Sequence, residues 1–213
     1  TKATLLSQSL LRVDNAQLTA TVLVTKTVLS SLAVAMGDLW FFAKNAPTAS
    51  AWTLYRMEGD SQAVLPAGLL PSLYQNPRHL AGVDGRLYFT ATSSGQFLLM
   101  VFAGSSFTPM LDFTAEPGNF TIAGGRLFLT SSLSEQNNGL WATDPGDPWG
   151  AHLISASMNV AALTPLLDGL LFVEDSLQEQ RLRWTDGVVA QDVAASGPSS
   201  IAAAIELLDA EGG

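Results

Sequence analysis

The chain has 213 residues, with 10 Lys and Arg against 19 Asp and Glu and a net charge of -9. That length buries a real core in one generous domain or two small ones, and at 47% hydrophobic and 14% charged residues the chain is too apolar for a disordered segment. The acidic balance argues against nucleic acid and acidic membrane surfaces as partners, and the absence of cysteine excludes disulfides, thiolate catalysis and Cys-ligated metals.

In chain order, residues 2–6, 10–13 and 18–24 read as short strands. The apolar run 20–39 is interrupted by Thr25, Lys26, Thr27, Ser30, Ser31 and Asp38. It lacks the roughly 20 predominantly apolar residues of a spanning helix, so no membrane insertion is expected. The start Thr1-Lys2-Ala3 has no charged, apolar, small-residue order, so a signal peptide is read as removed or never present. From residue 37 onward one phrase recurs, a glycine turn followed by an apolar, aromatic-rich strand. Its copies are Gly37-Asp38-Leu39-Trp40-Phe41-Phe42, Gly85-Arg86-Leu87-Tyr88-Phe89-Thr90, Gly125-Arg126-Leu127-Phe128-Leu129-Thr130 and Gly169-Leu170-Leu171-Phe172-Val173. A second phrase follows each: Leu54-Tyr55-Arg56-Met57-Glu58, Leu99-Met100-Val101-Phe102-Ala103, Leu140-Trp141-Ala142-Thr143-Asp144 and Leu182-Arg183-Trp184-Thr185-Asp186.

A fifth copy of the second phrase, Leu10-Leu11-Arg12-Val13-Asp14, has no glycine phrase before it. Aligning Asp14, Glu58, Ala103, Asp144 and Asp186 gives steps of 44, 45, 41 and 42 residues, and a step of 41 through the chain ends completes the full length. Each repeat has room for four short strands between turn signals. In the third these fall at 120–123, 126–131, 140–143 and 152–155. Strands that are apolar on both faces suit sheets packed between two neighbours. The expected fold is therefore all-β, a single five-bladed β-propeller domain over 1–213 with four strands per blade. The blades are expected near 29–66, 77–112, 117–155, 159–194, and 198–213 completed by 1–24. The run Ile201-Ala202-Ala203-Ala204-Ile205 would be the innermost strand of the closing blade, with a terminal helix as the alternative, since its alanines favour one. Trp40, Tyr88, Phe128 and Phe172 are expected at equivalent positions, packing blade on blade.

The phrases ending in Asp144 and in Asp186-Gly187, together with Gly85-Arg86-Leu87-Tyr88-Phe89-Thr90-Ala91, resemble the ELW-x-x-DGT repeat of bacterial propeller-like proteins. Gly139 and Arg181 stand where that repeat has its leading Glu, and Val188 stands where it has Thr. The resemblance implies a propeller-type protein in an extracellular or periplasmic setting, and it supplies no catalytic residue.

Asp14, Glu58, Asp144 and Asp186 are expected to bond nearby backbone N–H groups in turns rather than to hold cations. His79 and His152 fall in different blades and are read as structural, so no metal and no cofactor are expected. The inner-strand quartets 32–35, 80–83, 120–123, 160–163 and 201–204 contain no carboxylate, where a propeller glycosidase would need a pair. Longer connections at 44–52 and 66–78 should share one rim. There Trp52, Tyr74, Asn76 and Arg78 are the candidate ligand-binding residues, unless Leu69, Leu70 and Tyr74 only plug the core. The expected function is a non-catalytic ligand-binding or protein-interaction module, taking a protein or, in lectin fashion, a carbohydrate on that rim. The alternatives are a carbohydrate-active hydrolase using Glu116, Glu174 or Asp175, and a structural domain of a larger extracellular assembly.

Overall fold

The computed structural model describes residues 8–14, 19–26, 28–46, 48–58, 64–131, 139–147, 150–157, 159–175 and 180–195. Among them every regular element is a strand, and they build four four-stranded antiparallel sheets and one two-stranded sheet. Strands β1 (Gln8–Asp14) and β2 (Thr19–Lys26) form the pair. The first full sheet runs β3 (Val28–Ala35), β4 (Asp38–Lys44), β5 (Thr53–Met57) and β6 (Val64–Leu69), and the second β7 (Gln75–Val83), β8 (Arg86–Ser93), β9 (Gln96–Ala103) and β10 (Ser106–Phe113). The third comprises β11 (Gly118–Ala123), β12 (Arg126–Ser131), β13 (Gly139–Thr143) and β14 (Ala151–Ser155). The fourth comprises β15 (Asn159–Leu166), β16 (Gly169–Asp175), β17 (Gln180–Thr185) and β18 (Ala190–Ala195). Four complete sheets are thus described where five were expected. The fifth repeat contributes β1 and β2, while the expected strands at 2–6 and 201–205 lie outside the described residues.

The chain divides into two compact units, Thr1–Asp112 and Phe113–Gly213. In the first, the facing surfaces of two sheets bury Trp40, Phe42, Leu54, Leu87, Phe89, Met100 and Phe102 in one cluster. The opposite face of the first sheet buries Phe41, Ala43, Tyr55 and Met57. Consecutive residues of β4 are therefore buried on both sides, which is why its sequence does not alternate between apolar and polar. In the second unit Phe128, Leu140 and Ala142 meet Leu170 and Phe172 across the two sheets, and Leu171, Val173 and Leu182 occupy the far face of the fourth.

Two-residue turns set the register within each sheet. Ala35 pairs with Asp38, Val83 with Arg86 and Ala123 with Arg126, around Met36-Gly37, Asp84-Gly85 and Gly124-Gly125. Both turn residues have positive φ in all three, the geometry whose twist matches that of a hairpin. The fourth sheet differs. Leu166 pairs with Gly169 around Leu167-Asp168, so this glycine begins a strand instead of ending a turn. A Cβ there would lie 2.2 Å from Thr185 O, which explains the glycine by close approach. The repeat alignment therefore shifts by one residue, and Leu171 rather than Phe172 corresponds to Trp40, Tyr88 and Phe128. Phe172 instead faces Phe128 within one core.

Three of the four third-to-fourth strand hairpins share an irregularity. The ladder slips between Leu54 and Tyr55, between Leu140 and Trp141, and between Leu182 and Arg183. Pair β1–β2 slips between Leu10 and Leu11. In all four the slip begins four residues before the aligned acid, Glu58, Asp144, Asp186 or Asp14. Such a bulge adds local twist, so it is a structural part of the repeat.

Phe128 is fully buried. Phe128→Ala is expected to cost about 3–5 kcal/mol in urea unfolding, and Leu171→Ala about 2–5 kcal/mol. An unchanged midpoint for either would contradict the packing described.

Candidate functional site

In the first unit, the 45–52 connection leaves β4 at Lys44 and the 70–74 connection leaves β6 at Leu69. The two meet where Leu70 N–H donates to Trp52 O at 2.8 Å. Trp52 does not stand open to a ligand. It is 6% exposed and belongs to the core with Leu54 and Leu70, and the Lys44 ammonium lies 4.8 Å from its ring centroid. Its indole Nε1–H has no hydrogen-bond partner among the described residues. Trp52 and Leu70 are the plug, while Tyr74 is half-buried against the same cluster. Leu69, which the alternative reading placed in a plug, is 64% exposed, and Leu73 is 57% exposed.

Asn76 is exposed in β7, but its conformation serves the ladder. With φ at +50° it occupies a bulge, and its Nδ2 donates to Thr92 Oγ1, which in turn donates to Gln75 O. The second unit repeats this clamp: Asn119, with φ +53°, donates to Thr130 Oγ1, and Thr130 donates to Gly118 O. Asparagine tolerates the left-handed conformation better than other side chains, which accounts for both. Arg78 has an exposed side chain, and its carbonyl accepts from Thr90 Oγ1. The rim thus presents Tyr74 in part, Asn76 and Arg78 beside two exposed leucines, with Trp52 beneath.

The acids divide among several roles. Glu116 and Asp175 line one cleft of about 370 Å3 in the second unit, with Thr130, Ser131, Ser157 and Asn159. Glu174 instead pairs with Arg183 Nη1 at 2.6 Å. The expected turn chemistry holds at Asp186, whose Oδ1 accepts from Val188 N–H at 2.9 Å and Val189 N–H at 3.4 Å. The first of these bonds is the main cause holding this exposed carboxyl below its ordinary range. Asp144 and Glu58 have side-chain partners. Asp144 Oδ1 meets Arg126 Nη1 at 3.3 Å and His152 Nδ1 at 2.9 Å, and Glu58 meets Arg56 at 3.0 Å. The side chain of Asp14 lies outside the described residues. His79 and His152 lie in β7 and β14, and no group of three or more metal-ligating side chains occurs among the described residues.

A second cleft, of about 420 Å3, opens in the first unit at the other end of β4 from the rim. Trp40 and Phe102 form its floor, with ring centroids 6.2 Å apart, and Asp38, Arg56, Met36 and Leu65 line its sides. Sequence reasoning missed it. The one signal available was the replacement, at Asp38, of the arginine that two other repeats carry after the turn glycine.

No family model and no curated protein matches the sequence. Solved structures do match. An oligogalacturonate lyase from Vibrio parahaemolyticus superposes with TM-score 0.52 at 12% identity, over 88% of this chain and 60% of the lyase. The β-propeller domain of the Trilobed protease from Pyrococcus furiosus gives 0.52 at 12%, over 86% of this chain and 62% of that one. A prolyl endopeptidase gives 0.53 at 13%, over 84% of this chain and 29% of the peptidase. This chain therefore spans less than two thirds of each. Together with the four-stranded antiparallel sheets, these likenesses define the scaffold as a β-propeller, and at such identities they speak to fold alone.

Burial ranks the rim residues. Trp52→Ala should cost about 3–5 kcal/mol, whereas Arg78→Ala should stay within about 0.5 kcal/mol, both measured by urea unfolding. Equal effects would refute the division between plug and exposed surface.

Proposed function

We propose that this chain is a non-catalytic recognition module, in an extracellular or periplasmic setting, that engages a partner through the 45–52 and 70–78 rim of its first unit. One observation carries the reading. Leu69 and Leu73 remain 64% and 57% exposed within ten residues of chain that also presents Asn76 and Arg78. Apolar side chains rimmed by polar ones suit a protein ligand better than a sugar. The buried anchors Trp52 and Leu70 hold this segment to the core, so binding would fall to the leucines it leaves exposed. The test is a peptide and glycan array probed with the intact chain and with a Leu73→Asp, Arg78→Glu variant. Stability should change by about 0.5 kcal/mol or less while binding is lost. Undiminished binding by the variant would move the site elsewhere.

A hydrolase reading is supported by the convergence of Glu116 and Asp175 on one cleft. Turnover of a glycoside by the intact chain, abolished by Glu116→Gln, would replace the binding proposal.

The finer architecture follows from the shared bulge. Because β1–β2 slips at the same place as three third-to-fourth strand hairpins, we infer that it is the outer half of a fifth blade. Deleting residues 1–26 should then abolish the cooperative melting transition, since it exposes open sheet edges. A native-like transition would instead favour a four-bladed ring.

A further inference from the structure

Corresponding gaps between sheets are filled differently in the two units. In the second, the residue that closes the inner hairpin is Arg126, and the neighbouring sheet approaches it with Gly187. A Cβ on Gly187 would lie 2.2 Å from Arg126 Cδ, so the stem of that side chain occupies the gap. Its Nη1 donates to Thr143 O at 3.0 Å and to Asp144 Oδ1 at 3.3 Å. In the first unit the hairpin is closed by Asp38, and the glycine ending the third-strand phrase of the neighbouring sheet is Gly104. A Cβ on Gly104 would meet nothing within 4 Å. Where unit two has an arginine side chain, unit one has the 420 Å3 cleft, with Gly85 and Gly104 on one wall and Asp38 on the other.

We propose that this cleft receives an arginine side chain from a polypeptide partner, seated as Arg126 is seated in the second unit. Three features favour that occupant. The shape is one that the fold itself fills with an arginine at the corresponding place. The floor, where the buried rings of Trp40 and Phe102 show only their edges, is apolar and suits the methylene stem of such a side chain. Exposed Met36 and Leu65 flank the mouth, ready to contact residues on either side of the inserted one. The charge agrees as well. Arg56 lies between two carboxylates, 3.6 Å from Asp38 and 3.0 Å from Glu58, so the three groups carry one net negative charge. An acidic ligand would add a further negative group beside those carboxylates, whereas a guanidinium brings the opposite charge to them. The overall charge of -9 steers a basic peptide in the same direction. This site is separate from the rim proposed above and stands or falls without it.

The experiment titrates the intact chain with N-acetyl-arginine N-methylamide at low salt, following the Trp40 indole N–H resonance, with the norleucine and glutamate analogues as comparisons. The arginine probe should shift that resonance saturably, bind about tenfold more tightly than the norleucine analogue, and weaken as salt is raised. The variant D38R should fill the cleft from within, as Arg126 does, and abolish binding without lowering the melting temperature. The near-isosteric Asp38→Asn should weaken binding about fivefold or more, which keeps the test decisive if D38R folds poorly. No saturable shift in the native chain, equal affinity for norleucine, or undiminished binding by folded D38R would each overturn the proposal.

Discussion

Neighbouring inner hairpins approach too closely for a second side chain at their contact points, and much of the remaining structure follows from that contact. A Cβ on Gly82 would sit 2.0 Å from the Cβ of Ala35, and one on Gly124 would sit 1.9 Å from Asp168 O. Small residues at these positions let the sheets converge on one side. The large apolar side chains then pack farther out, on the second and third strands, where the sheets diverge. Phe42 and Phe89, with centroids 4.8 Å apart, mark that layer in the first unit, and Phe128 and Phe172 mark it in the second. Burial on both faces forces those strands to be apolar throughout, and it leaves only their two ends free to vary.

Variation at the ends is limited in turn by the turns themselves. Three inner hairpins use a pair of positive-φ residues and keep one register, while the fourth turns one residue earlier at Leu167-Asp168. Because side chains alternate along a strand, that single step moves a residue from one face to the other. It makes Leu171 the counterpart of Phe128 and sends Phe172 back toward the shared core. The bulges act similarly, adding twist at a fixed distance from the turn acid whichever residues surround them. Polar side chains near the turns are largely taken up in this geometry, as the matching clamps at Asn76 and Asn119 demonstrate.

Both candidate surfaces arise where this economy is interrupted. At the rim, two connections longer than their counterparts bury Trp52 and Leu70 and leave leucines outside. At the opposite end of β4, an aspartate stands where the arginine of another repeat would fill the gap, and a cleft remains. Neither surface disturbs the inner contacts, so each can change chemistry without unfolding the sheets.

The sequence by itself determined the repeat, the four-strand composition of its units and the positions of most strands. Those properties are local: turn residues, periodicity and doubly buried apolar runs report directly on backbone conformation. In the third repeat the expected strands at 126–131 and 140–143 differ from the observed ones by at most a residue. It also indicated which connections would meet, because strand count fixes the end at which each emerges. Only the tertiary structure decided that Trp52 faces inward, that Glu174 turns to Arg183 while Asp175 turns to a cleft beside Glu116, and that Gly169 lies within a strand. Each of these depends on which face of a sheet a side chain occupies and on what the neighbouring sheet brings against it. A one-residue register step reverses the first, and partners distant in sequence supply the second, so neither is written in any local stretch of chain.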